Sequence, residues 1–197
     1  LTTGGGWQDQ IGGLAGGVKL VRSCPGVPQT PTYEEVVLSD YVKERFDKQF
    51  ALVYTGQRRL AKRILRNIMG DYILRKKETV NIIHHIQEIA LSIRNALVAG
   101  DFEQMGRLMA QHWELNKRLD SGSTNAFIDS IFKVCEPYVY GGKLCGAGGG
   151  GFMELILRED VSIKQLNEVF EKAFPVKQVR VWDSQIAYKA FDIERSV

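Results

Sequence analysis

The chain has 197 residues, a formal net charge of +3 at pH 7, 44% hydrophobic and 25% charged residues. Nine Phe, seven Tyr and three Trp exclude a disordered polyelectrolyte, and the length suits one domain, or one with a small appendage. The charge is too small to demand nucleic acid. Cys24, Cys135 and Cys145 are few, odd in number and scattered, which points to a reducing compartment, with the cytosol as the default, and to no metal knuckle. No run approaches the roughly 18 apolar residues of a membrane span, and no charged-then-apolar leader opens the chain.

The first residues, Leu1-Thr2-Thr3-Gly4-Gly5-Gly6-Trp7-Gln8-Asp9-Gln10, form a Gly-rich, polar and aromatic cluster at an extreme terminus. Positioning such a cluster needs support on both sides, so the chain reads as the middle of a larger protein whose upstream part holds half of any active site. A helix is expected from Gln8 through Ile11, Leu14 and Ala15, weakened by its glycines. Val18–Arg22 alternates like a half-buried strand. Pro25, Pro28 and Pro31 mark an irregular connection. Tyr33–Leu38 reads as a second strand, Asp40–Asp47 as a brief helix or turn, and Phe50–Tyr54 as a buried strand closed by Thr55-Gly56.

Helices follow. Leu60, Ile64, Leu65, Ile68, Met69, Tyr72 and Ile73 recur at helical spacing, and Ile82, Ile86, Ile89, Ile93 and Leu97 line one face of a longer helix ended by Gly100. Asp101 caps the next, which carries Phe102, Met105, Leu108, Met109 and Trp113. After the loop Ser121-Gly122-Ser123, Thr124 or Asn125 caps a helix bearing Phe127, Ile128, Ile131, Phe132 and Cys135 that stops near Pro137. A Gly-rich loop is expected over 141–151, then a strand Phe152–Leu157, a helix capped by Ser162, and a late strand or hairpin over Val176–Val181 and Ser184–Phe191. This order fits an α+β sandwich, an antiparallel sheet with helices packed on one face.

Two stretches carry candidate chemistry. Residues 141–151 contain seven glycines, and such runs let backbone N–H groups converge on an anion with no side chain in the way. The loop lacks the Lys and hydroxyl that follow the last glycine of a Walker motif, and it precedes a strand rather than a helix, so neither nucleotide fingerprint applies. Tight backbone packing is the plain alternative, but four consecutive glycines are more than a turn needs. In the first stretch Asp9, flanked by Gln8 and Gln10, is a candidate base or acceptor for a hydroxyl, and Trp7 can stack on a sugar or line a pocket. The alternative makes Asp9 a helix-start residue favoured by the dipole and Trp7 part of the core.

Other features are weaker. Arg58, Arg59, Lys62, Arg63 and Arg66, with Arg75, Lys76 and Lys77 beyond, form a basic face that could meet phosphates or nucleic acid, although a solvated helix explains it as well. Arg59, just past the strand end, is the one placed to face a site. His84 and His85 are adjacent and point apart on a helix. With His112 alone besides, no zinc site is expected. Cys145 has no activating neighbour placed by the sequence and is read as structural.

Together, Gly4-Gly5-Gly6-Trp7-Gln8-Asp9-Gln10 and Gly146-Ala147-Gly148-Gly149-Gly150-Gly151 resemble the aspartate segment and the C-terminal glycine motif of the GHMP superfamily of small-molecule kinases. With Leu52-Val53-Tyr54-Thr55-Gly56 and Arg59-Leu60-Ala61, the resemblance narrows to its fucose-phosphorylating branch, with a heptose-phosphate branch and a non-catalytic ligand-binding module as alternatives. It implies a ferredoxin-like C-terminal domain over residues 24–197 and, in 1–23, the end of the N-terminal kinase half. The superfamily's Pro-x-x-x-Gly-Leu-Gly-Ser-Ser loop has no counterpart here and belongs to that N-terminal half. The implied partners are the sugar, ATP with Mg²⁺ held mostly by the N-terminal part, and the N-terminal domain itself, with no nucleic acid and no membrane. The implied roles are Asp9 as catalytic residue, Trp7, Gln10, Gly6 and Arg59 in sugar binding, Gly146, Gly148, Gly149, Gly150 and Gly151 beside the phosphate, and no metal ligand from this chain. The fragment alone is expected to be inactive.

Overall fold

The computed structural model describes residues 6–58, 62–176 and 179–189. In chain order the elements are α1 (Gln8–Leu14), β1 (Lys19–Ser23), β2 (Pro31–Glu35), α2 (Asp40–Gln49), β3 (Phe50–Tyr54), α3 (Lys62–Ile73), α4 (Lys77–Ala99), α5 (Phe102–Leu119), α6 (Ala126–Cys135), β4 (Val139–Leu144), β5 (Phe152–Leu157), α7 (Ile163–Ala173) and β6 (Arg180–Trp182). Single 3₁₀ turns, Ser121–Ser123 and Glu136–Tyr138, bracket α6.

The helix starts follow the capping chemistry in the sequence. Side chains of Ser39, Asp101, Asn125 and Ser162 accept from the N–H groups of Val42, Gln104, Phe127 and Ile128, and Gln165, filling donors a helix leaves orphaned. Between Asn125 and Thr124, the cap is Asn125.

The main sheet has the order β4-β5-β3-β6, with every neighbour antiparallel. From β3 to β6 the chain therefore traces a split β-α-β sandwich of ferredoxin-like type. Because side chains alternate across a strand, Ala51, Val53, Met153, Leu155 and Leu157 share one face. There they bury against Ile128, Ile131 and Cys135 of α6 and Leu166 and Phe170 of α7. Full burial of such side chains is worth about 1.5–3 kcal/mol each, which makes this the principal core. A second core joins Val42 and Phe46 of α2, Ile82, Ile89 and Leu97 of α4, and Met105, Leu108 and Met109 of α5 to Ile156 on the opposite face. Phe46 stacks on Phe50 of that face at 4.7 Å. Helix α5 runs against the edge strand β4 at close range: a Cβ on Gly141 would lie 2.1 Å from the Gly106 carbonyl oxygen. The pair β1-β2 forms a separate two-stranded antiparallel sheet.

Three expectations are corrected. Gly141 and Gly142 belong to β4 rather than to the glycine loop, which is confined to Cys145–Gly151. They are there so that α5 and the Leu155 side chain can approach the strand. The second strand begins at Pro31 and ends at Glu35. A strand's first position tolerates the missing N–H of proline, and Val36 and Leu38 drop into the second core instead. The late hairpin is reduced to β6. Ser184–Lys189 is not a strand, and the Ala187 carbonyl accepts from the Gly17 N–H at 2.7 Å. Residues 177, 178, 190 and 191 of that expectation lie outside the described residues.

Candidate active site at the glycine loop

The two central strands, β3 and β5, end side by side, and the glycine loop rises from that end. Its conformation is built by what it is tied to. The Gly149 N–H donates to the Ser123 carbonyl and the Gly151 N–H to the Gln57 carbonyl, while the Gly151 carbonyl accepts from both the N–H and the hydroxyl of Thr55 at 2.9 Å. Asn125, besides capping α6, donates to the Gln57 side chain at 3.1 Å. Gly148 shows why the position excludes a side chain: φ is +85° and a Cβ would sit 2.5 Å from the Ser123 oxygen. Two of the loop's glycine N–H groups are thus spent inside the protein, and close packing of backbone on backbone accounts for Gly148 and for Gly150, which faces the Gln57 oxygen. Gly146 and Gly151 have open space where a Cβ would point.

The strand register places Cys145 opposite Phe152 and Lys143 opposite Glu154, on the sheet face turned away from α6 and α7. Lys143 pairs with Glu154 at 3.4 Å, and the Cys145 thiol donates to Glu154 at 3.5 Å. Burial pushes that thiol up to about 12, and the Glu154 carboxylate adds to the rise, with a smaller contribution from the Asp9 charge. The thiol is therefore protonated and inert near neutral pH. Asp9, the second residue of α1, is exposed.

Beside this cluster a cavity of about 380 Å³ opens between β1, α4, α5 and the far sheet face, walled by Leu20, Phe50 and Met105, with His112, Lys143 and Glu154 at its polar end. Burial, with Lys143 adding, pulls the His112 pKa down to about 4, so the ring is neutral near pH 7. Its Nδ1 is buried without a hydrogen-bond partner.

Of the other expected site residues, Trp7 is 37% exposed and its indole N–H points at the Gln29 side chain at 3.5 Å. Gln10 is half-buried, with a buried and unpartnered Oε1. Gly6 is exposed, and Arg59 lies outside the described residues. Arg58, Arg63 and Arg66 are exposed, as are His84 and His85, and Lys76 pairs with Asp71 at 2.6 Å. Among the described residues, no group of three or more His, Cys, Asp or Glu side chains is arranged to hold a metal ion, and no helix is long and apolar enough to cross a membrane. Sequence reasoning missed the clamp of Thr55, Gln57 and Ser123 on the loop. Thr55-Gly56 and Ser121-Gly122-Ser123 were legible as chain turns, but that they grip one distant loop was not.

Residues 93–175 match the family model described as GHMP kinases C terminal. The chain carries a GHMP kinase C-terminal domain. It is 36% identical over 172 residues to the bifunctional fucokinase/GDP-fucose pyrophosphorylase of Arabidopsis thaliana, covering 87% of this chain and 16% of that protein. It is 33% identical over 196 residues to the L-fucokinase/L-fucose-1-P guanylyltransferase of Bacteroides fragilis, covering 100% of this chain and 21% of that one. A D-glycero-alpha-D-manno-heptose 7-phosphate kinase of Campylobacter jejuni is 25% identical over 150 residues, 76% of this chain and 43% of that protein. The chain thus spans about a sixth to a fifth of the length of these two relatives. In fold it superposes on L. major mevalonate kinase in complex with R-mevalonate with a TM-score of 0.71 at 18% identity, covering 89% of this chain and 50% of that one.

Proposed function

We propose that this chain is the C-terminal wall of an ATP-dependent sugar 1-kinase that phosphorylates the anomeric hydroxyl of L-fucose. The observation that carries the reading is the identity of 33–36% to two proteins named as fucokinases over most of the chain, in a segment whose family model is a kinase domain. It is supported by the glycine loop, which Thr55, Gln57 and Ser123 hold by hydrogen bonds. Residues 1–23 then close the preceding kinase half and 24–197 form the C-terminal domain, the division falling at the β1-β2 turn.

In this mechanism the sugar's anomeric oxygen attacks the γ-phosphorus of ATP. A new O–P bond forms, the bond from the γ-phosphorus to the β-phosphate oxygen breaks, and ADP leaves. Asp9 takes the hydroxyl proton or holds that hydroxyl in line, a role that requires its carboxylate within about 3 Å of the accepting oxygen. Phosphoryl transfer depends mostly on positioning and charge stabilisation, and Trp7, Gln10, Gly6 and Arg59 are assigned to the sugar. Gly146, Gly148, Gly149, Gly150 and Gly151 form the loop beside the transferring phosphate. Because Gly149 and Gly151 already donate within the fold, their contribution is to shape the loop, and direct donation falls to other N–H groups. The Mg²⁺ that accompanies ATP is assigned mostly to the nucleotide phosphates and the N-terminal part.

The test is a coupled assay of the complete natural protein with L-fucose, galactose and heptose 7-phosphate. L-fucose is the expected substrate, and Asp9→Ala is expected to reduce kcat by about 10²–10⁴-fold. Phosphorylation of heptose 7-phosphate and not L-fucose would select the branch of the Campylobacter jejuni relative. A near-normal rate for Asp9→Ala would remove the catalytic assignment.

A further inference from the structure

On the sheet face turned away from α6 and α7, the second core covers only one end, at Phe50 and Ile156. The other end presents three aromatic rings. Tyr54 and Phe152 are direct cross-strand partners with centroids 5.3 Å apart. Trp182, opposite Leu52 on β6, meets Phe152 edge-on at 5.6 Å and Tyr54 at 6.5 Å. The Arg180 guanidinium lies 4.7 Å from the Trp182 ring centre, a cation–π contact that steadies the indole. Yet Trp182 is 43% exposed, and Tyr54 and Phe152 are only half-buried.

Scattered exposed rings need no explanation, but a contiguous exposed cluster marks a contact site. The position of this cluster is specific. Tyr54 directly precedes Thr55, which binds Gly151, and Phe152 directly follows Gly151, so the rings stand at the foot of the glycine loop. By register they share their face with Cys145, Glu154 and Lys143. A pyranose presents C–H groups on one face and hydroxyls around its rim. An aromatic surface satisfies the first, and carboxylate, ammonium and guanidinium groups satisfy the second.

We propose that Tyr54, Phe152 and Trp182 form an aromatic wall that receives the C–H face of the sugar substrate and aligns its anomeric hydroxyl beneath the glycine loop. This inference rests on the sugar-kinase reading above and adds residues to which that reading gave no role. The wall touches substrate without taking part in bond making, so it acts on binding.

The test compares Trp182→Ala and Trp182→Phe with the wild type in the complete natural protein, reading KM for the phosphorylated sugar, KM for ATP, kcat and thermal stability. Trp182→Ala is expected to raise the sugar KM about tenfold, Trp182→Phe to restore most of it, and kcat and the ATP KM to stay within about twofold. Sugar added without ATP should alter tryptophan emission in the wild type and less so in Trp182→Phe. If the wild type phosphorylates a sugar and its KM is unchanged in Trp182→Ala, the wall is not in the sugar site and only this inference falls. A drop in melting temperature at unchanged KM would identify the rings as a packing face for another part of the protein, and would overturn it equally. If the wild type phosphorylates none of the sugars, the kinase reading falls and takes the wall with it.

Discussion

Gly148 provides a direct test of how the loop is held. In Gly148→Ala the new residue keeps φ near +85°, which costs an L-residue about 1–2 kcal/mol. Its Cβ would also sit 2.5 Å from the Ser123 carbonyl oxygen and 3.1 Å from the Ser123 Cβ. Because Ser123 is buried and its hydroxyl and N–H are engaged by Asn116 and Asp120, the loop must yield rather than the serine. Yielding stretches the Gly149 bond to Ser123, a further loss of about 0.5–1.5 kcal/mol. The sum is about 1.5–3.5 kcal/mol. Gly146→Ala is the control: φ is +62° but nothing lies within 4 Å of its Cβ, so it pays the backbone penalty alone, about 1–2 kcal/mol. For a chain of this size 1 kcal/mol moves Tm by about 2–4 °C. In thermal unfolding followed by circular dichroism, Gly148→Ala should therefore melt about 1–6 °C below Gly146→Ala. Equal melting temperatures for the two variants would show that contact with Ser123 does not shape the loop.

Further expectations follow from burial and charge. At pH 8 a disulfide-exchange reagent should label Cys24, which is exposed, rapidly, and Cys135 and Cys145 only after unfolding, because burial raises both thiols to about 12; two fast thiols in the folded protein would contradict this. His112 titrates near 4 in the fold against 6.5 when free. The stability tied to its neutral state is complete above pH 6.5 and lost as pH falls toward 4, at up to about 1.4 kcal/mol per pH unit. Urea unfolding at pH 7, 5.5 and 4 should show a flatter decline for His112→Gln, and parallel declines would refute the assignment. Gly106→Val should destabilise the protein by about 1–3 kcal/mol or more, since even a Cβ there lies 2.6 Å from the Tyr140 Cβ and 2.9 Å from the Gly141 nitrogen. A wild-type Tm would show that α5 and β4 are not in contact as described.

Elements governed by local chemistry were legible in the sequence. Phe50–Tyr54 and Phe152–Leu157 are apolar runs bounded by turn residues, and both strands match those limits. Asp101 and Ser162 cap the helices they were expected to cap. What was not legible depends on chain-distant neighbours. Glycine in a turn and glycine under a helix look alike in sequence, so Gly141 and Gly142 were grouped with the loop although Gly106, far upstream, explains Gly141. Ser184–Phe191 alternates well enough for a strand, but alternation does not say whether a partner strand is there. The candidate site was legible as two separate segments, while the grip of Thr55, Gln57 and Ser123 on the glycine loop depends on contacts between distant parts of the chain. Tyr54, Phe152 and Trp182 are ordinary strand residues until the register brings them together.

The strand order has a mechanical consequence. The glycine loop and Gln57 are rooted in β5 and β3, the two inner strands, each flanked on both sides and each filling the principal core. An anvil of this kind has little freedom to travel. If the kinase proposed above closes on its ligands, the hammer must be its proposed N-terminal half, and amide exchange at Thr55 and Met153 should remain slow whether or not ligands are present.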